Sequence, residues 1–100
     1  MNTYNSKLKS KEMDDLFDAI LSLNNREECY KFFEDICTIN ELLSMAQRLS
    51  IAKCLRNNTK WIEIEKKTYA SSATISKVNK SIQGGQGGYN LILDRLIENK

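Results

Sequence analysis

Lys60–Gln83 reads KWIEIEKKTYASSATISKVNKSIQ, and the rest of the chain is organised around this stretch. It parses as two short helices about a tight turn. Ile75, Val78 and Ile82 recur at i, i+3 and i+7, one stripe of a helix. Ile64 lies on the preceding short helix, where with Thr68 and Ala70 near the turn it closes a small core against that stripe. Ser71 suits the N-cap of the second helix, because its hydroxyl accepts from an otherwise unpaired backbone N–H. Ser72, Ala73, Ser76, Lys77 and Lys80 are left to face elsewhere. Two helices joined in this way are a helix-turn-helix, whose second helix enters the major groove of DNA. The bland alternative is a pair of amphipathic helices with a solvated Lys/Ser face.

Charge separates the two readings. The chain carries only +2 in total, but its halves differ. Residues 1–50 hold six basic and nine acidic side chains, whereas residues 51–100 hold nine basic and four acidic. The excess is concentrated in residues 51–80, where Lys53, Arg56, Lys60, Lys66, Lys67, Lys77 and Lys80 stand against Glu63 and Glu65. A solvated face more often mixes signs, and a local positive field suits a phosphate backbone.

The run KKTYASSATISKVNKSI resembles the helix-turn-helix of the Trp repressor family, especially its small Gram-positive regulators. The upstream runs DDLFDAILSL, EECYKFFEDICTINELLSMAQRL and IAKCLRNNTKWIEIEKKT resemble the same group, so the similarity covers roughly Lys11 to Leu96. ATIS, CTINE and AQRL are its most specific parts. The resemblance implies an all-α fold of about six helices, an intertwined homodimer, and repression of transcription through operator DNA.

One hundred residues suggest a single domain, residues 1–100, that buries modest area without a partner subunit. No apolar run is long enough to span a membrane and none reads as a signal peptide, so a cytoplasmic location is expected. Cys29, Cys37 and Cys54 form no CxxC pair and there is no histidine, which argues against a structural zinc site and histidine-dependent catalysis. The cysteines read as reduced and helix-facing; a redox sensor is the sharper alternative.

Residues 1–9 are polar and expected to fray. Ser10 then caps a helix with Asp14 and Asp15 in its early turns, and Met13, Leu16, Phe17, Ile20 and Leu21 form a stripe expected to be buried. Asn24 and Asn25 break it. A second helix follows from about Arg26 to Cys37, with Cys29, Phe32, Phe33, Ile36 and Cys37 on its apolar side. Tyr30 and the two phenylalanines read as core rather than as a ligand pocket. Thr38-Ile39-Asn40-Glu41 is a capping box, opening a third helix that runs to about Asn57. Leu42, Met45, Ala46, Leu49, Ala52 and Leu55 line one side of it, long enough to be the spine of a subunit interface. Asn57 and Asn58 end it, since both tolerate left-handed backbone. Gly84-Gly85-Gln86-Gly87-Gly88 lacks the lysine ending of a phosphate-binding loop and reads as a helix cap and flexible linker. Tyr89, Leu93, Leu96 and Ile97 then pattern a short terminal helix.

Two positions depart from the generic motif: Tyr69 stands where the turn usually carries glycine, and Glu65 where a small residue is usual. In the Trp repressor proper, part of the indole slot is a recognition-helix Arg followed by Gly. The resemblance places Lys77 and Val78 there, with Arg48 as a further pocket residue. Lysine lacks the flat face of guanidinium and valine adds volume, so weak or no binding of L-tryptophan is expected. Another effector, or none, is left open, and no cofactor is expected.

The expected assembly is a homodimer on double-stranded DNA, with a recognition helix of about Ser71 to Ile82 in each major groove. Ser71, Ser72, Ala73 and Ser76 lie nearest the bases, and Lys60, Lys66, Lys67, Lys77 and Lys80 bind phosphates. The alternative is a helix-turn-helix serving as a protein-interaction module. Catalysis ranks last, because no base–nucleophile pair and no cofactor motif is present.

Overall fold

The computed structural model describes residues 4–98. Among them the chain forms six helices and no strand: α1 (Lys11–Leu21), α2 (Arg26–Ile36), α3 (Ile39–Arg56), α4 (Trp61–Thr68), α5 (Ser72–Gly84) and α6 (Gly88–Glu98). The chain divides into two compact units, residues 1–38 and 39–100.

In the first unit, residues 1–3 of the stretch expected to fray lie outside the described residues. Before α1, the Leu8 N–H donates to the Ser6 hydroxyl at 3.0 Å. Ser10 caps α1 as expected, its hydroxyl accepting from the Met13 N–H at 3.1 Å. The asparagines read only as a break do more. Asn25 is the N-cap of α2, its Oδ1 accepting from the Glu28 N–H at 2.9 Å. Glu28 reaches back and accepts from the Asn24 N–H at 2.8 Å, so two free donors are satisfied together. α2 ends at Ile36, one residue short of the expected Cys37.

The stripe of α1 departs from expectation. No residue of α1 or α2 is buried, and Leu21 is 82% exposed, with Phe17, Tyr30 and Ile36 also exposed. Tyr30 is therefore not core. Two helices of 11 residues each supply too little surface to enclose their own apolar faces. The Phe32 and Phe33 rings meet edge to face with centroids 5.5 Å apart.

The second unit holds the core. Ile51 and Ala52 of α3, Ile64 of α4, Ala70 of the turn, Ile75 and Val78 of α5 and Leu93 of α6 are buried together. Leu49, Cys54, Leu55, Ile82 and Tyr89 pack against them. The small core expected around Ile64, Ala70, Ile75, Val78 and Ile82 is present, and α3 and α6 complete it. Ile51, completely buried, was absent from the expected α3 stripe, while Met45 and Ala46 of that stripe are exposed. Both buried residues of α3 lie in its C-terminal half, so a single periodic face along all 18 residues does not exist.

α3 stops where the asparagines place its end. Asn58 adopts φ 58, the Asn58 N–H donates to the Leu55 carbonyl and the Thr59 N–H to the Cys54 carbonyl. This is a Schellman closure with asparagine in the left-handed position. Arg56 then ties α3 to α6: its guanidinium donates to Asp94 at 2.8 Å and to the Asn90 side-chain oxygen at 3.0 Å. Asn90 in turn donates to the Ile82 carbonyl at 3.4 Å, which brings the end of α5 into the same cluster.

The glycine segment is more particular than a linker. Gly84 is the last residue of α5 and has free space around its α-carbon. A β-carbon on Gly85 would sit 2.3 Å from the Ser81 carbonyl oxygen, the same oxygen to which the Gly85 N–H donates at 2.9 Å. Gly87 takes φ +85 and leads directly into α6, which starts at Gly88 rather than at Tyr89. Gly84→Ala should therefore be neutral or stabilising by up to about 1 kcal/mol, whereas Gly85→Ala should destabilise. Urea midpoints at unchanged slope measure both, and equal effects would contradict the assigned packing at Gly85. Ile51→Ala should cost about 2–5 kcal/mol by the same measurement, since the side chain is completely enclosed. Met45→Ala in the isolated chain should cost far less.

Candidate nucleic-acid interface

α4 and α5 are joined by Tyr69, Ala70 and Ser71, three residues, as a helix-turn-helix requires. Three local devices fix the joint. Tyr69 ends α4 in left-handed backbone, φ 59 and ψ 18, with its N–H donating to the Glu65 carbonyl. This is the geometry that glycine adopts freely, and a side chain there costs roughly 1–2 kcal/mol. The Thr68 hydroxyl donates to the Ile64 carbonyl at 2.7 Å and accepts from the Ala70 N–H at 3.3 Å. Ser71 caps α5, accepting from the Thr74 N–H at 3.2 Å. Its hydroxyl also lies 3.1 Å from the Thr74 hydroxyl, so Ser71 is engaged by the cap.

Burial then sorts the faces of α5. Ile75 and Val78 are sealed against α3 and α4, and Ile82 is half-buried on the same side. With 3.6 residues per turn, Ala73, Ser76, Lys77 and Lys80 project from the opposite side. Ser71, Ser72, Ala73, Lys77 and Lys80 are exposed and Ser76 is half-buried. Lys60 precedes α4, and Lys66 and Lys67 occupy its last turn; all three are exposed. Among the described residues none of these five lysines forms an ion pair. Arg56, part of the basic excess in the sequence, is different: its charge is matched by Asp94. The available field therefore comes from the lysines.

Gln47 was missed in the sequence. Its side-chain amide donates to the Thr68 carbonyl at 2.9 Å, anchoring the end of α4 to α3. Nothing in the apolar spacing marks it, because the bond is made across 21 residues of chain.

Arg48, Lys77 and Val78 come together. They line one cleft of about 360 Å³ with Thr74, Ser81 and Tyr89. Thr74, Lys77, Val78 and Ser81 stand at i, i+3, i+4 and i+7 along α5, a row legible in the sequence. Tyr89 arrives from α6 and was not legible there. Val78 is 2% exposed, so its side chain is part of the core as well as of the cleft wall.

Comparison with known proteins agrees with this geometry. A family model described as Trp repressor protein matches residues 11–97. The chain is 51% identical over 92 residues to the uncharacterized protein YerC of Bacillus subtilis (strain 168), covering 92% of this chain and 88% of the relative. A crystal structure of a Trp repressor candidate from Staphylococcus aureus superposes with a TM-score of 0.87 at 51% identity, over 90% of each chain. A TrpR-like protein from Eubacterium eligens ATCC 27750 superposes with a TM-score of 0.88 at 51% identity, over 92% of this chain and 95% of that one. The proteins of this family are regulators and not enzymes. By sequence, by fold and by the form of its helix-turn-helix, the chain belongs to the Trp repressor family.

Proposed function

We propose that this chain is a sequence-specific, DNA-binding transcriptional regulator of the cytoplasm, a repressor that acts as a homodimer. The observation that carries the reading is the division of α5: one side is locked in the core by Ile75 and Val78, and the other presents Ala73, Ser76, Lys77 and Lys80 to solvent. A helix held so firmly on one side presents the other as a rigid reading surface. Ser72, Ala73 and Ser76 approach base edges, with Ser71 at the margin as the cap. Lys60, Lys66, Lys67, Lys77 and Lys80 bind phosphates and set the register.

Exposed apolar side chains support the dimer. Phe17, Leu21, Tyr30, Ile36, Ile39 and Leu43 are exposed in the single chain, on α1, α2 and the open half of α3. A second copy would cover apolar faces of this kind, and the resulting two-fold axis matches a palindromic operator. The cleft of Arg48, Lys77 and Val78 is the place for any effector, and L-tryptophan binds there weakly or not at all. Valine fills space there, and a lysine head group offers no plane for the indole.

Selection from a random duplex pool tests the reading; failure to enrich any sequence would favour a protein partner instead. On the enriched duplex, Lys77→Ala and Lys80→Ala should weaken binding to all sequences alike. Each should flatten the log–log salt slope by about 0.9 for every phosphate no longer neutralised. Changes at Ser72 or Ser76 should alter sequence preference and leave the slope in place; the reverse pattern would overturn the assigned roles. Addition of L-tryptophan should leave the affinity for the duplex unchanged, and a tenfold tightening would refute the reading of the cleft.

A further inference from the structure

Tyr69 is anomalous in a way that the helix-turn-helix does not explain. Its backbone holds the left-handed conformation at φ 59, which a side chain adopts only under strain. Packing does not compensate for that strain within the chain. The ring is 90% exposed, and among the described residues its side chain makes no hydrogen bond, ion pair or ring contact. Strain kept without a partner inside the molecule points to a partner outside it.

The position narrows the choice. Lys66 and Lys67, both exposed, precede Tyr69 on the last turn of α4, and Ser71 and Ser72 follow it at the start of α5. In a docked helix-turn-helix the first helix crosses the sugar–phosphate backbone and the second reads the groove. The turn between them lies at the groove's rim. A tyrosine there has an apolar ring to lie along deoxyribose and a phenolic O–H to donate to a phosphate oxygen. We propose that Tyr69 is a DNA-backbone contact of this protein, donating its phenolic hydrogen to a phosphate at the rim of the groove entered by α5. The inference rests on the DNA-binding reading above and adds to it an uncharged contact at the turn.

The test uses the full chain and three forms: the wild type, Tyr69→Phe and Tyr69→Gly. Melting is followed without DNA, and affinity for the enriched duplex is measured across a salt series. Tyr69→Gly should melt higher, because the turn is relieved, and yet bind about five- to tenfold more weakly. Tyr69→Phe keeps ring and backbone and should melt like the wild type, with about fivefold weaker binding because the hydroxyl donor is gone. Both variants should keep the wild-type salt slope, since a neutral hydroxyl displaces no counterion, in contrast to the lysine variants. Wild-type affinity in Tyr69→Phe overturns the hydroxyl contact, whatever Tyr69→Gly does. A wild type that binds no duplex removes the DNA-binding reading itself, and this inference with it, a result distinct from equal binding by all three forms.

Discussion

The structure depends on the enclosure of three isoleucines and a valine. Ile51, Ile64, Ile75 and Val78 come from three helices and meet with essentially no exposed surface. All four are β-branched, so each has few side-chain conformations to lose when packed. Their packing sets how α4 and α5 lie against α3, which decides what α5 turns outward. The serines and lysines on the outward side of α5 occupy their positions because the opposite side of the same helix is packed in the core.

That core is also small. Among the described residues, seven buried side chains serve the second unit, and the helices of the first unit bury none. A chain with this ratio of enclosed to open apolar surface is short of hydrophobic stabilisation by itself. Capping offsets part of the shortage. Ser10, Asn25 and Ser71 each satisfy a backbone donor at a helix start, and Asn58 closes the end of α3. Such caps contribute about 1 kcal/mol apiece and specify where each helix begins and ends. They do not replace the burial that a partner subunit would provide.

Much of this was legible in the sequence, for identifiable reasons. The stripe of Ile75, Val78 and Ile82 was readable because a helix packed on one side repeats its apolar residues with the period of its turn. Ser71 and the asparagine pair at the end of α3 were readable because capping is local chemistry. Ile51 was not, because it lies off the stripe drawn by Leu42, Met45 and Leu49; only the packing of α4, α5 and α6 shows which side of α3 faces inward. For the site, the outward placement of Lys77 and Lys80 followed from spacing, whereas Lys66 and Lys67 entered only through the charge count. The placement of Gln47 and Tyr89 did not follow from spacing, since each reaches its position across a long stretch of chain. Arg56 was misleading in the opposite sense: counting charges cannot show that a cation is already matched within the fold.

The Arg56 cluster makes ionic strength a double-edged variable. The arginine side chain is 29% exposed and its carboxylate partner 64%, so dissolved ions reach the pair and weaken it. Raising salt to probe an encounter with a polyanion thus also relaxes the strap holding the last helix to the body of the molecule. The two effects separate spectroscopically, since the strap loosens in the free protein and the encounter requires its partner. Behaviour recorded in dilute buffer accordingly belongs to a tighter molecule than behaviour recorded in brine.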